Sequence, residues 1–197
     1  MVVVGGGGRE HALCLSLDAS LQVDSIHCVP GTAGTARLAT NHACDMSVET
    51  LVKLFTHVGA ALVVVGPEAP LCDGLADACR DAAVPCFGPV AALAHLEGSK
   101  LHAKQTMETA GVPTAAYQRL DASSDFDAAL DAYAGAPWVV KRDVLAGGKG
   151  VVVTENREEA KSFIERSIQT DGFVLLEAFL PGEEASMLVV MLSLIHI

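Results

Sequence analysis

Val2–Val4 runs directly into four glycines, Gly5–Gly8, and a helix-forming segment begins at Arg9 and reaches about Ser20. A β-branched run that passes through glycine into a helix constrains the fold strongly. The helix must pack back against its own strand, with bare backbone at the turn. The alternation then continues. Ser25–Val29 reads as a strand, Ser47 as the cap of a helix reaching Val58 with Glu49 in its first turn, and AALVVVG (Ala60–Gly66) as an uninterrupted apolar strand of the kind buried in parallel sheets. A helix over Asp73–Ala83 and a short strand in VPCFG follow. Strand–helix–strand alternation with short connections predicts an open parallel α/β sheet with helices on both faces, over residues 1–98.

In such sheets ligands bind beyond the carboxyl ends of the strands. Three loops leave those ends, GGGGRE, PGTAGT and GPEAPL. The first joins bare N–H groups to a helix N-terminus, which suits a phosphate. A dinucleotide is disfavoured. The G-x-G-x-x-G fingerprint fits Gly5 and Gly7, but its third place is Glu10, and Pro30 and Gly31 stand where a ribose-binding carboxylate belongs. The expectation is a smaller phosphorylated compound over this Rossmann-like domain. Glu68, in the third loop, would accept hydrogen bonds from ribose hydroxyls; its alternative role is to cap the helix that follows.

The chain has 197 residues, a net charge of −11 and no basic cluster, which argues against binding nucleic acid over its surface. No signal sequence and no membrane-spanning run is present, so a cytoplasmic location is expected, although a missing leader would leave organelle targeting open. The six cysteines (Cys14, Cys28, Cys44, Cys72, Cys79, Cys86) form no C-x-x-C pair and read as buried free thiols.

From Ser99 the pattern changes. Ser99–Ala110 reads as a connecting helix stopped by Gly111 and Pro113, Ala115–Leu120 as a strand, and Ser123 or Ser124 as the cap of a helix to Ala134. PWVVKRDVLAGGKGVVVT reads as strand, glycine loop, strand. Asn156 and Glu159 form a capping-box pattern ahead of another helix, and FVLLEAFLPGEEASMLVVML reads as two strands about a Pro-Gly turn. The glycine loop is not a phosphate loop of the G-x-x-x-x-G-K-[ST] type, because Asp143 and Gly150 occupy its required Gly and Ser/Thr places. A hairpin tip carrying Lys141 and Lys149 around glycines predicts a lid over a polyphosphate.

GGGGREHA, PGTAGT, VVVGPEAPL, FGP, LEGSK, VVK…LAGGKGV and LLEAFLPGEEAS occur in this order between Val2 and Ser186. Together they resemble the phosphoribosylamine–glycine ligase (glycinamide ribonucleotide synthetase) family of ATP-grasp enzymes. The resemblance implies a Rossmann-like domain followed by a partial ATP-grasp domain, divided into a connecting helix at 99–113, a lid subdomain at 114–180 and the start of the core at 181–197. It implies ATP-dependent ligation of glycine to 5-phosphoribosylamine through a glycyl phosphate, in purine synthesis, with magnesium or manganese as metal. By motif matching, Lys100 and Lys141 would meet ATP phosphates beneath the tip Ala146, Gly147, Gly148, Lys149 and Gly150. Glu177, Ala178 and Leu180 would form the adenine hinge, and Glu184 would take the ATP ribose hydroxyls. Gly6, Gly7, Gly8, Gly31, Thr32, Gly34 and Glu68 would face phosphoribosylamine.

The chain departs from the family pattern at Arg142, where the family tends to have Ala, at Val144 for Gly, and at Thr32 for Asn. Val144 would be strained if that place needed a positive φ. The connection from the lid helix to FVLLEAF is also shorter than usual. Metal ligands and catalytic residues of the family are expected beyond GEEAS, so none is assigned in this chain, which reads as a fragment inactive alone; the parent may be fused to other purine-pathway domains. Leu192–Ile197 reads as foreign to the family fold. The rival readings are another ATP-grasp ligase or carboxylase, a non-catalytic ATP-binding module and, least favoured, a dinucleotide-linked oxidoreductase.

Overall fold

The computed structural model describes residues 1–145, 150–187, 189, 191–192 and 195–196, and divides the chain into two compact units. The first comprises residues 1–114 and 143–150, the second residues 115–142 and 151–197.

In the first unit, β1 (Val2–Gly5), β2 (His27–Pro30), β3 (Thr40–Asn41), β4 (Val63–Val65) and β5 (Cys86–Phe87) form a parallel sheet in the order β3-β2-β1-β4-β5. Its helices are α1 (Gly8–Asp18), α2 (Val48–His57), α3 (Ala69–Cys72), α4 (Leu75–Asp81), α5 (Ala91–Gly98) and α6 (Lys100–Ala110). β1 is central, which explains its run of valines. Val2 and Val4 pack with Leu51 and Phe55 of α2 and Leu75 and Cys79 of α4, while Val3 faces Cys14 of α1 and Cys28 on the other side. Each such valine, fully buried, contributes about 1.5–3 kcal/mol.

Two boundaries differ from the sequence reading. The strand expected at Ser25–Val29 starts at His27 and ends at Pro30, after a cis Val29–Pro30 bond. The helix expected over Asp73–Ala83 is α4 alone, because Gly74 adopts φ +90° and separates it from α3. Ser47 caps α2 through Thr50 N–H, and Ser99 caps α6 through His102 N–H, with Gly111 left-handed at its end, as expected.

In the second unit, β6 (Tyr117–Asp121), β7 (Trp138–Arg142), β8 (Val151–Thr154) and β9 (Phe173–Glu177) form an antiparallel sheet in the order β6-β9-β7-β8. One face is covered by α7 (Phe126–Ala132) and α8 (Arg157–Asp171), which bury Leu130 and Ile164 against Leu120, Val140, Val174 and Leu176. The two-residue period of a strand sends Val139, Lys141, Val151, Val153 and Glu177 to the opposite face.

The caps of this unit correct two expectations. Asp125, not Ser123 or Ser124, caps α7, accepting from Asp127 and Ala128 N–H; the two serines instead bond to Asp121. The Ser123 hydroxyl and N–H, with Arg119, bring the Asp121 carboxyl down to about 2. Asp125→Ala is expected to cost about 0.5–2 kcal/mol, while Ser123→Ala leaves the cap intact; parallel urea melts compare them. Asn156 caps α8 as expected, but Glu159 accepts from Thr154 Oγ1 instead of the Asn156 N–H, which donates to Thr154 Oγ1 itself.

The strand expected after the Pro-Gly turn does not extend from it. Residues 178–187 hold no strand, and Met191–Leu192 (β10) pairs antiparallel with Ile195–His196 (β11).

Arg142 grips Asp171 with two parallel hydrogen bonds, 2.5 and 2.8 Å, and holds its carboxyl below the usual Asp value. A carboxyl whose pKa is lower folded than unfolded stabilises the fold fully above the unfolded value. That contribution is lost as pH falls through the folded value. Stability is therefore expected to fall below the ordinary carboxylate range near about 4, and this component should vanish in Asp171→Asn melts taken from neutral to acid pH.

Candidate functional site

In the first unit, the loops after β2, β1 and β4 leave the same edge of the sheet, and side chains lace them together. The Glu10 carboxylate is buried in the first turn of α1 and accepts from Gly7 N–H at 2.5 Å. It lies between β1 and β4. A Cβ on Gly66 would overlap it, and a Cβ on Gly5, where φ is +125°, would stand 2.6 Å from Glu10 Cγ. The third place of the dinucleotide fingerprint is thus filled by an internal anion. The N-terminus of α1 is consequently not bare, as the glycine run suggests, since Glu10 already occupies its N-cap N–H. The Gly7-x-x-Glu10 spacing is that of a capping box, and was the available signal for it.

Gly6 lies against Gly31, whose carbonyl would be 3.2 Å from an added Cβ, and Gly34 lies against His11. Gly8 is exposed with open space around it. Arg9 Nη1 donates to Gly66 O at 2.7 Å and stands 3.5 Å from Glu68 Oε1. Glu68 is the N-cap of α3 but its side chain makes no cap bond, so the capping alternative is not what the structure displays. The structure therefore brings Gly6, Gly7, Gly31, Gly34 and Glu68 to one edge. Arg9, Glu10 and Asn41, absent from the sequence assignment, hydrogen-bond to backbone atoms of these loops, and His11 lies beside Gly34.

Also within the first unit, Asp143 sits at the N-terminus of α6. Its Oδ2 accepts from Ser99 Oγ at 2.9 Å, and its Oδ1 accepts from the N–H groups of Lys100 and Leu101. An anion at a helix N-terminus satisfies otherwise orphaned donors. Lys100 Nζ donates to Val144 O at 3.3 Å. Val144 does not adopt a positive φ, so the strain expected there is absent. Gly150 is buried; Ala146, Gly147, Gly148 and Lys149 lie outside the described residues.

In the second unit, the uncovered face of the sheet and residues 178–184 line an open cavity of about 670 Å³. Val139, Val151 and Val153 form its apolar floor. Val153 is 53% exposed on that floor. Lys141 Nζ lies 3.0 Å from Glu177 Oε2 in the wall, on neighbouring strands, with the Glu177 side chain 4% exposed. Ala178, Leu180 and Glu184 complete the rim. Lys141, Glu177, Ala178, Leu180 and Glu184 are thus brought together by one cavity. Ala178 N–H donates to Ala116 O at 2.8 Å. Burial pushes the Tyr133 phenol up, and the Glu177 charge adds to the rise. Among the described residues, no three His, Cys, Asp or Glu side chains converge as a metal site.

A parallel α/β unit together with a four-stranded antiparallel unit whose uncovered face walls a cavity is the architecture of ATP-grasp ligases. Residues 1–97 match the phosphoribosylglycinamide synthetase N domain, and residues 98–193 the ATP-grasp (A) domain of that synthetase. The chain belongs to the phosphoribosylglycinamide synthetase family. It is 48% identical over 191 residues to a phosphoribosylamine–glycine ligase of Streptomyces coelicolor, covering 96% of this chain and 45% of that protein. The corresponding Mycobacterium tuberculosis protein is 48% identical over 192 residues, covering 95% and 46%. The crystal structure of phosphoribosylamine–glycine ligase from Thermotoga maritima superposes with a TM-score of 0.72 at 30% identity, covering 92% of this chain and 44% of that one. The chain thus spans about 45% of the length of these curated relatives.

Proposed function

We propose that the chain supplies the ATP-binding and amine-substrate-binding parts of a ligase that joins glycine to 5-phosphoribosylamine, giving glycinamide ribonucleotide, ADP and phosphate through a glycyl phosphate. The observation that carries this reading is the cavity of the second unit. It pairs an apolar platform of valines with the Lys141 cation and the carboxylates of Glu177, Glu183 and Glu184 at its wall and rim. A site of this size, mostly apolar with a few polar groups at fixed points, suits a nucleotide.

In this reading Val139, Val151 and Val153 sandwich the adenine from one side. The Ala178 carbonyl and the Glu177 carboxylate accept from its amino group, and Leu180 N–H donates to the ring. Glu184 accepts from both ribose hydroxyls, which a carboxylate can do. Lys141, oriented by Glu177, meets the ATP phosphates as a charged donor. Lys100 and the tip 146–150 are assigned to the phosphates on the resemblance alone. The loops at Gly6–Gly8 and Gly31–Gly34, with Thr32 and Glu68, receive the ribosyl phosphate of the amine substrate. Magnesium or manganese is the metal such a reaction uses to draw charge off the phosphates, and no residue of this chain is assigned to hold it. The reading places the reaction in the cytoplasm; no helix among the described residues is long and apolar enough to cross a membrane.

A chimera tests the proposal. Residues 1–193 replace the matching portion of the Streptomyces coelicolor relative, and ADP release is followed. Release that requires both glycine and 5-phosphoribosylamine is the expected result. Release driven by bicarbonate or a different amine would instead favour another ATP-grasp ligase or carboxylase.

A further inference from the structure

The loop from Gly31 to Thr35 is wrapped around one side chain, Asn41. Asn41 Nδ2 donates to Thr32 O at 2.7 Å, and Thr32 N–H donates to Thr35 Oγ1 at 2.7 Å. Thr35 is fully buried, and its Oγ1 lies 2.9 Å from Asn41 Oδ1 and 3.0 Å from Thr32 O. A hydroxyl has one proton to give. Thr32 O already receives the amide donor of Asn41, so the Thr35 proton goes to Asn41 Oδ1. The result is a closed ring that begins at the Thr32 N–H, passes through the Thr35 hydroxyl and the Asn41 carboxamide, and returns to the Thr32 carbonyl. Flipping the carboxamide would set two acceptors, Asn41 Oδ1 and Thr32 O, against each other, so the ring dictates its orientation.

Gly31 closes the loop from below. Its φ is +71°, and an added Cβ would overlap the Asn41 carboxamide. Asn41 is in turn fixed by its place in β3. Its neighbour His42 donates its N–H to Cys28 O at 2.8 Å, and the His42 Nε2 and His27 Nδ1 atoms lie 2.9 Å apart.

We propose that Asn41 is the positioning residue of the sugar-phosphate loop, holding residues 31–34 in their binding shape through its ring with Thr32 and Thr35. The inference rests on the assignment of that loop to phosphoribosylamine under the proposed function. Asn41 acts through the loop backbone and does not touch the ligand. A segment with Gly31 and Gly34 loses much conformational freedom on ordering, and a loop held in its bound shape beforehand spares the ligand that cost.

The test uses the whole chain, with ribose 5-phosphate and ATP titrated separately by calorimetry. Asn41→Ala and Thr35→Val are expected to weaken ribose 5-phosphate about tenfold and leave ATP affinity near that of the parent; Thr35→Val, which strips a buried hydroxyl from the ring, also lowers the melting temperature. Thr35→Ser, which retains the hydroxyl, is expected to bind as the parent does. Should Asn41→Ala not fold, Asn41→Asp supplies the reading, because it keeps the acceptor for Thr35 but sets an oxygen against Thr32 O. Parent-like ribose 5-phosphate affinity in Asn41→Ala or Asn41→Asp and in Thr35→Val overturns the inference alone. Equal loss of both ligands with a lowered melting temperature reduces Asn41 to a structural role and overturns it too. A parent chain that binds no ribose 5-phosphate removes the loop assignment itself, and the inference with it.

Discussion

Lys141→Ala is expected to weaken ATP binding by about 10–100-fold, with ribose 5-phosphate affinity unchanged. The lysine projects from β7 into the cavity, 3.0 Å from Glu177 on the adjacent strand. A hydrogen bond to a charged group contributes about 1.5–3 kcal/mol, and each 1.4 kcal/mol is about tenfold in affinity. Lys141→Arg keeps the charge but exchanges a compact ammonium for a planar fork, so an intermediate loss is expected. The selectivity matters most, because Lys141 and the loops assigned to the sugar phosphate belong to different compact units. Loss of both affinities, or of neither, would detach Lys141 from the nucleotide.

Gly66→Ala is expected to destabilise the first unit by about 1–3 kcal/mol. The new methyl would overlap the Glu10 carboxylate. That group cannot simply swing aside, because it is 5% exposed and accepts the Gly7 N–H. Displacing it breaks this hydrogen bond and shifts the first turn of α1. A double-mutant cycle gives the stronger test. Glu10→Ala alone costs stability through the lost cap, but Gly66→Ala added to it should cost much less than in the parent. Strict additivity of the two effects in urea unfolding would show that the glycine and the carboxylate do not interact.

The parts of the fold legible in the sequence are those with local causes. Val2–Val4 and Val63–Val65 are strands because apolar β-branched runs ending in glycine have few alternatives, and Ser47, Ser99 and Asn156 cap helices through bonds two or three residues long. The cavity of the second unit was not read from the sequence, although the alternation along β7 and β8 that sends Val139, Lys141, Val151 and Val153 to one face is local. What escaped is held by contacts distant in sequence. Asp143 satisfies the N-terminus of α6 across more than forty residues, Arg142 meets Asp171 across twenty-nine, and Arg9 reaches Gly66 O across fifty-seven. Nothing in the neighbourhood of each residue announces its partner. Arg142 shows the consequence. It stood out in the sequence as a departure within the lid, yet its guanidinium is engaged with the end of α8. At α7 the error was one of competition. Ser123, Ser124 and Asp125 are all good caps, and the serines were drawn off by Asp121.

The most direct test of the nucleotide site is photolabelling of the chain with 8-azido-ATP, followed by peptide mapping. The account predicts label on Val151–Val153 and on Ala178–Glu184, suppressed by excess ATP and not by ribose 5-phosphate. Label confined to the glycine loops of the first unit, or insensitive to competing ATP, would contradict it.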